Sequence, residues 1–194
     1  MMMVMTAPRL MTIEEVEAMG PEAERYELIR GVLREVEGMS EKHGAIGGRV
    51  HIYLGGFVLQ HDLGELFISD SRFTFRGNPP SWTAPDIAFV SSARLPRYEF
   101  ADGYSRRIPN LVVEVKSPSN TEAEILEKIA VYLAGGVTLV WLVRPAQRTV
   151  TVFRQNRPEL ILHDDDVLDG EDVLPGFRLP LSDIFRAPRG ELED

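Results

Sequence analysis

The sequence lacks cysteine and long apolar runs. Its 194 residues contain no cysteine, which excludes a disulfide framework and a thiolate metal site. No segment approaches the roughly 18 consecutive apolar residues that are needed to cross a bilayer. Residues 1–11 show no apolar stretch of signal-peptide length. These absences predict a cytoplasmic protein without a membrane partner.

Lysine is also scarce, because the chain has 18 arginines and only 3 lysines, Lys42, Lys116 and Lys128. A lysine is a compact point charge with three donors, whereas an arginine presents a planar fork. Lys116 follows the apolar run at 111–115. A lysine at this place suits a water or a phosphate oxygen beside a metal ion, and it equally suits a simple ion pair with Glu114.

The charge of the chain is acidic overall but unevenly distributed. The net charge of −9 argues against a non-specific nucleic-acid coat, which needs a basic surface. Residues 157–194 hold 11 acids and 4 arginines, whereas residues 72–116 hold 7 basic residues and 4 acids. The basic part, which includes Arg106 and Arg107, predicts phosphate contacts there. DNA binding should therefore be weak or sensitive to salt.

The chain length suits one domain over residues 1–194. Capping boxes at Thr12/Glu15 and Thr121/Glu124 predict two helix starts, and apolar spacing predicts a helix over 41–60. Arg30-Gly31 predicts a hairpin turn. Short apolar runs predict strands at 66–69, 72–75, 86–90, 111–116, 137–143 and 149–153. This order predicts an α/β fold with a mixed central sheet flanked by helices.

The strongest functional pattern is Asp86 with Glu114 and Lys116. Side chains alternate along a strand, so Glu114 and Lys116 are expected on one face of the strand at 111–116. Charges in such an apolar strand are costly unless each finds a partner, an ion or a water-lined cleft. Asp86 opens a neighbouring apolar strand. Two carboxylates and one ammonium on adjacent strands predict a Mg²⁺ or Mn²⁺ site that attacks a phosphate, although a structural ion pair and a turn-capping aspartate would leave the same pattern.

These residues carry a family resemblance. Through Pro85-Asp86 and Glu114-x-Lys116 the chain resembles the PD-(D/E)XK nuclease superfamily, and more closely the Uma-two family of restriction-endonuclease-like proteins. The likeness extends over nearly the whole chain. It rests on segments at 12–15, 26–31, 85–90, 111–119, 128–137 and 174–177. The chain departs from the family pattern at Arg30, where members usually have an acid, and it has Lys116 where members often have leucine.

The resemblance implies a restriction-endonuclease-like core and further site residues. Glu27 would add a third carboxylate to the metal shell, and a surface acid on a hairpin is an equal alternative. Lys128-x-x-x-Tyr132 is similar to the Gln-x-x-x-Tyr feature of RecB-like nucleases. Its two side chains share a helical face and would point toward the DNA backbone, although a solvated lysine and a core tyrosine fit as well. His43 would lie near the mouth of the site.

Together these features predict a Mg²⁺-dependent endonuclease that hydrolyses DNA phosphodiester bonds through Asp86, Glu114 and Lys116. The alternative is a catalytically inactive nuclease-fold module that binds DNA or another partner. Apolar elements at both ends and the glycine-rich helix at 41–60 favour a homodimer. Ser117 and Ser119 lack a recognisable nucleophile-elbow context, which argues against serine hydrolysis.

Overall fold

The computed structural model describes residues 9–36, 38–95, 100 and 103–187. Six strands form the central sheet in the order β10-β9-β8-β7-β6-β3. Strands β7 and β8 are parallel, and every other neighbouring pair in this sheet is antiparallel. The predicted mixed sheet is therefore confirmed. The strands are β3 (Gly64–Ile68), β6 (Ile87–Ser91), β7 (Leu111–Val115), β8 (Leu139–Arg144), β9 (Thr149–Arg154) and β10 (Leu160–Leu162).

Helices cover both faces of this sheet, as predicted. Helix α3 (Glu122–Ala134) connects the parallel strands β7 and β8 and packs on one face. Helices α2 (Glu41–His61) and α4 (Leu181–Phe185) pack on the other face. A buried stripe on α2 faces the sheet because its members recur every four residues. These residues are Ile46, Val50, Leu54 and Val58.

A second, four-stranded antiparallel sheet has the order β2-β1-β5-β4. The predicted turn at Arg30-Gly31 joins β1 (Tyr26–Ile29) to β2 (Val32–Glu35), and both turn residues have positive φ, 48° and 77°. Such φ values match the twist of a two-residue hairpin, and glycine adopts them without strain. Strands β4 (Phe73–Phe75) and β5 (Ser81–Thr83) complete the sheet, which places Glu27 of β1 beside the chain that leads into β6.

The three-residue strands have no pattern of their own in the sequence. Strand β5 follows Pro79-Pro80, which indicates a break in structure, and β10 was not predicted either. The two-stranded sheet of β11 (Val167–Asp169) and β12 (Arg178–Pro180) was also missed. Strands of three residues are defined by their partners rather than by their own pattern. Helix α1 (Ile13–Glu17), which the Thr12 capping box opens, is followed by a 3₁₀ helix at Gly20–Arg25.

The segment between β6 and β7 contains a 3₁₀ turn at Ser92–Arg94 and a bridge between Ser105 and Phe73. Residues 96–99 and 101–102 of that segment, including Arg97, lie outside the described residues. No helix of the described residues is long and apolar enough to span a membrane.

Candidate active site

A cavity of about 530 Å³ opens where the two sheets meet the N-terminal ends of α2 and α3. Glu27 enters it from β1, and Asp86 enters it just before β6. Glu114 and Lys128 enter from β7 and α3. Glu27, Asp86, Glu114 and Lys128 therefore line one cavity. Two arginines and four further acids line it as well: Arg34, Arg72, Glu24, Glu35, Asp70 and Glu124.

Strand alternation explains why Glu114 faces α3. Val113 and Val115 pack in the core beneath α2, whereas Val112 packs in the core beneath α3. Glu114 has the same parity as Val112, so its carboxylate points toward α3. It is only 4% exposed. A carboxylate at such a depth needs partners that offset the loss of its hydration.

Two side chains of α3 provide those partners. The Tyr132 hydroxyl donates to Glu114 Oε1 at 2.5 Å, and it accepts from Thr83 Oγ1 at 3.2 Å. Lys128 Nζ lies 3.1 Å from Oε1 and 3.2 Å from Oε2 of Glu114. Lys128 and Tyr132 are one helical turn apart, so both reach the same carboxylate. The two side chains therefore lie on one face of α3, and both contact Glu114.

Lys128 also joins Glu114 to Glu27. Its Nζ is 3.2 Å from Glu27 Oε1, and the same oxygen accepts the Ala84 backbone N–H at 2.8 Å. Burial lowers the pKa of Lys128, but the carboxylates of Glu114 and Glu27 outweigh that effect, so its pKa lies well above the ordinary value. Lys128 therefore stays an ammonium between two acids. Glu27 is largely buried and contacts Lys128, and its role as a metal ligand stays a prediction.

Three carboxylates around one ammonium leave an excess of negative charge. Burial raises the pKa of Glu114 from 4.5 to about 7, Lys128 opposes this shift, and Asp86 and Glu27 add to it. Burying a carboxyl group whose pKa is raised in this way costs stability. Acids of this kind are therefore typical of functional sites. A cation bound beside Glu114 would favour its ionised form, because an opposite charge lowers the pKa of a carboxyl group.

Asp86 is held by two contacts of its own. Its Oδ2 accepts the Val115 N–H at 2.7 Å, and His43 Nε2 lies 3.1 Å from the same atom. Hydrogen bonding to Asp86 raises the pKa of His43, although burial opposes the shift. His43 is 6% exposed and lines the cavity. The sequence placed it only near the mouth, because no local pattern shows that the first turn of α2 packs beside Asp86.

Lys116 takes a different position from Lys128. Its backbone N–H donates to Val143 O at 2.8 Å, and its Nζ donates to Asn120 O at 2.7 Å. Lys116 is not among the described residues that line the cavity, although Ser117 and Asn120 are. The ammonium next to Glu114 is therefore that of Lys128. The catalytic role of Lys116 stays a prediction.

Arg106 and Arg107, two of the predicted phosphate-contacting arginines, do not line this cavity, whereas Arg72 does. Arg107 lines a second cavity, and Arg106 lines neither of the two. Two other arginines of the basic segment bind backbone carbonyls. Arg72 donates to Tyr26 O, and Arg94 donates to Ile108 O and Pro109 O. Part of the positive charge predicted for DNA therefore also holds the fold together.

The donor set fits a cation that keeps water or phosphate among its ligands. Within the described part of the chain, no group of three or more His, Asp or Glu side chains has the geometry of a metal cage. Mg²⁺ does not need one, because proteins commonly hold it with one or two carboxylates. Asp86 and Glu114 would provide those two carboxylates. The remaining ligands would be waters and substrate oxygens.

The comparisons with known proteins agree with this architecture. The family model Uma2, described as "Putative restriction endonuclease", matches residues 13–182. The chain belongs to the Uma2 family. It is similar in fold to the crystal structure of "a putative nuclease belonging to DUF820" from Anabaena variabilis, with 24% identity, a TM-score of 0.74, and coverage of 82% of this chain and 89% of that one. No curated protein matches the chain.

The shifted pKa of Glu114 predicts how stability depends on pH. Between pH 4.5 and about 7 the folded protein retains a proton that the unfolded chain releases. Metal-free stability should therefore fall as pH rises through this window. Glu114→Gln carries no such charge, so it should be more stable than wild type by up to about 3 kcal/mol at high pH. Urea unfolding in EDTA at about pH 5 and about pH 8 measures the difference.

His43 contributes to this profile with the same sign, because its pKa is raised. Its contribution is present below about pH 6.5 and is lost as the pH rises through its folded pKa. His43 remains in both proteins, but the charge of Glu114 is one cause of its raised pKa, so the difference between the two profiles reports Glu114 together with this smaller effect on His43. Parallel pH profiles of the wild type and Glu114→Gln would show that Glu114 keeps an ordinary pKa.

Proposed function

We propose that this Uma2-family protein is a Mg²⁺- or Mn²⁺-dependent endonuclease that hydrolyses DNA phosphodiester bonds in the cavity of Glu27, Asp86, Glu114 and Lys128. The observation that carries the proposal is the position of Lys128 Nζ, 3.1 Å from Glu114 and 3.2 Å from Glu27 in a cavity that Asp86 also lines. It brings acids and an ammonium from four separate elements to one place. Family membership supports a hydrolytic nuclease.

The described residues divide the work by their chemistry. Asp86 and Glu114 would hold the divalent ion. When bound, that ion would act as a Lewis acid on the phosphate and lower the pKa of a coordinated water. Tyr132 and Thr83 orient Glu114, and the Val115 N–H and His43 orient Asp86. Such supporting contacts fix the ligands in place.

Lys128 would stabilise negative charge on the phosphate. An ammonium in a partly dry cavity acts on developing charge without needing to reorganise. Glu27 forms a second ion pair with Lys128, in addition to that of Glu114, and helps to keep the ammonium charged. We propose that Lys128 takes the role that the sequence pattern gives to Lys116, and that Lys116 shapes the loop at 117–120 through Asn120.

A homodimer in the cytoplasm is part of the proposal, since paired sites would suit the cutting of two strands. Helix α2 offers an exposed stripe of small and apolar residues at helical spacing: Gly48, Ile52, Gly56 and Leu59. Ile52 is 70% exposed and Leu59 is 76% exposed. Sedimentation equilibrium of the wild type and of Ile52→Glu tests this part.

The function itself is tested by incubating supercoiled plasmid and single-stranded DNA with the wild type at low salt. Cleavage should require Mg²⁺ or Mn²⁺ and should weaken as salt is raised, because phosphate contacts release counterions. EDTA should abolish it. The second candidate is a non-catalytic DNA-binding or interaction module. It is favoured by the net charge of −9 and by the ion pairs that already satisfy Lys128. Lack of cleavage with either ion would favour that module.

Metal binding should raise the melting temperature of the wild type. A ligand that binds only the native state adds RT ln(1 + [L]/Kd) to stability, which is about 2.7 kcal/mol at 100 times Kd. Asp86→Ala should abolish the rise, since it removes one of two ligating carboxylates. Differential scanning fluorimetry with Mn²⁺ and Mg²⁺ measures both. Glu65→Ala is the matched control, because Glu65 is an exposed acid on β3. A full response by Asp86→Ala would place the ion elsewhere.

A further inference from the structure

A second cavity of about 690 Å³ adjoins the candidate active site. The two cavities share the side chains of Glu24, Asp70 and Arg72 along a common wall. No residue proposed for metal binding or catalysis lines the second cavity. The continuity of the two matters because a nucleic-acid strand is a ligand that extends from one cavity into the next.

The second cavity is unusually aromatic. Five aromatic residues line it: Phe67, Phe73, Trp82, Phe100 and Tyr104. Phe73 and Trp82 are buried and form its base, whereas Phe100 is 67% exposed and Phe67 and Tyr104 are partly exposed. The accessible rings belong to Phe67, Phe100 and Tyr104. Aromatic faces of this kind hold unpaired bases by stacking.

Arg72 connects this aromatic wall to the candidate active site. Its guanidinium lies 4.3 Å from the centroid of the Trp82 ring and donates to Tyr26 O, next to Glu27. Tyr104 meets the Trp82 ring in a T-shaped arrangement, with 5.6 Å between the two ring centroids. The guanidinium is a flat, positive group that can attract a base, and the buried indole beneath it holds it in place.

The polar groups in the wall also suit a base rather than an apolar ligand. Trp82 is 3% exposed, and its Nε1 has no hydrogen-bond partner among the described residues. A buried donor without a partner is costly, and a carbonyl oxygen of a bound base would satisfy it only if the indole shifted toward the cavity. The carboxylates of Glu24 and Asp70 are acceptors for the exocyclic amino groups of a base. The cavity lining also includes Arg107.

From these observations we infer that the second cavity holds an unpaired base next to the phosphate that is cut. The substrate class is then single-stranded DNA or DNA with a locally opened strand, because a base inside a duplex cannot reach such a cavity without leaving its stack. This inference deepens the proposed function and rests on it for the position of the phosphate. The binding of the base can be measured without cleavage.

The test uses short oligonucleotides that carry 2-aminopurine, in Ca²⁺ and at low salt, with the wild-type protein. Stacking should quench 2-aminopurine fluorescence, and single strands should bind more tightly than a blunt duplex of the same sequence. Phe100→Leu should weaken single-strand binding roughly fivefold, the lower end of what one stacked base contributes. Phe100→Tyr should restore it, because the ring is restored. Tyr104→Leu is the second ring variant, and Leu160→Ala is the control at an exposed apolar position of β10.

The outcomes separate the two proposals. If the wild type cleaves DNA in Mg²⁺ but binds duplex as tightly as single strands, or if both ring variants bind like the wild type, the base site is wrong and the proposed nuclease stands. The wild type could instead quench 2-aminopurine fluorescence without cleaving DNA, while both ring variants lose the quenching. The base site would then be correct, and the protein would be a DNA-binding module rather than a nuclease. Absence of any DNA binding overturns the base site.

Discussion

Lys128→Met should reduce DNA cleavage by roughly a hundredfold to a thousandfold, the loss expected when one preorganised charge-stabilising group is removed. The reason is geometric, because Lys128 Nζ is the ammonium in contact with both Glu114 and Glu27. Methionine keeps much of the volume but leaves two buried acids without their cation. Initial rates of plasmid nicking in Mg²⁺ measure the effect.

The same substitution in Lys116 is the matched comparison. Lys116 Nζ binds the Asn120 carbonyl rather than a carboxylate of the cavity, so Lys116→Met should cost about tenfold at most. Circular dichroism would show that both variants remain folded. If Lys128→Met does not fold, Lys128→Gln takes its place in the comparison. A large loss in Lys116→Met with normal cleavage by Lys128→Met would restore the role predicted for Lys116.

Glu114→Gln should lose cleavage by a comparable factor while gaining stability without metal. The amide keeps the shape of the carboxylate, so the Tyr132 contact can persist, but the negative charge that attracts the cation is gone. Replacing a catalytic group that destabilises the metal-free protein is expected to lower activity and raise stability together. Single-turnover cleavage and urea unfolding on the same preparations measure the two effects.

The isosteric change in Asp86 separates metal binding from the charge of Glu114. Asp86→Asn should also lose cleavage and the metal-induced rise in melting temperature. It should reduce but not abolish the fall in stability between pH 4.5 and about 7, because burial, the largest cause of the raised pKa of Glu114, remains while the contribution of the Asp86 charge is lost. Glu65→Gln is the control, since it removes an exposed acid of β3. Unchanged cleavage by Glu114→Gln would count against the proposed site and favour the non-catalytic module.

Local patterns in the sequence determined much of the architecture. The capping boxes at Thr12 and Thr121 open α1 and α3 as predicted, because these contacts involve residues only three positions apart. The Arg30-Gly31 turn and the apolar run of β7 are equally local. Alternation along β7 correctly separated Glu114 from Val113 and Val115, and helical spacing placed Lys128 and Tyr132 on one face.

Only the tertiary structure decided which lysine meets Glu114. Alternation predicted that Lys116 would share its face, but β7 ends at Val115 and the chain turns through 117–120, so the Lys116 ammonium folds back to Asn120. Lys128 reaches Glu114 because α3 crosses over the sheet between two parallel strands. The contacts of Glu27 with Ala84 and of His43 with Asp86 likewise join elements far apart in the chain. Such pairings depend on how helices and sheets pack, and periodicity within one segment carries no information about them.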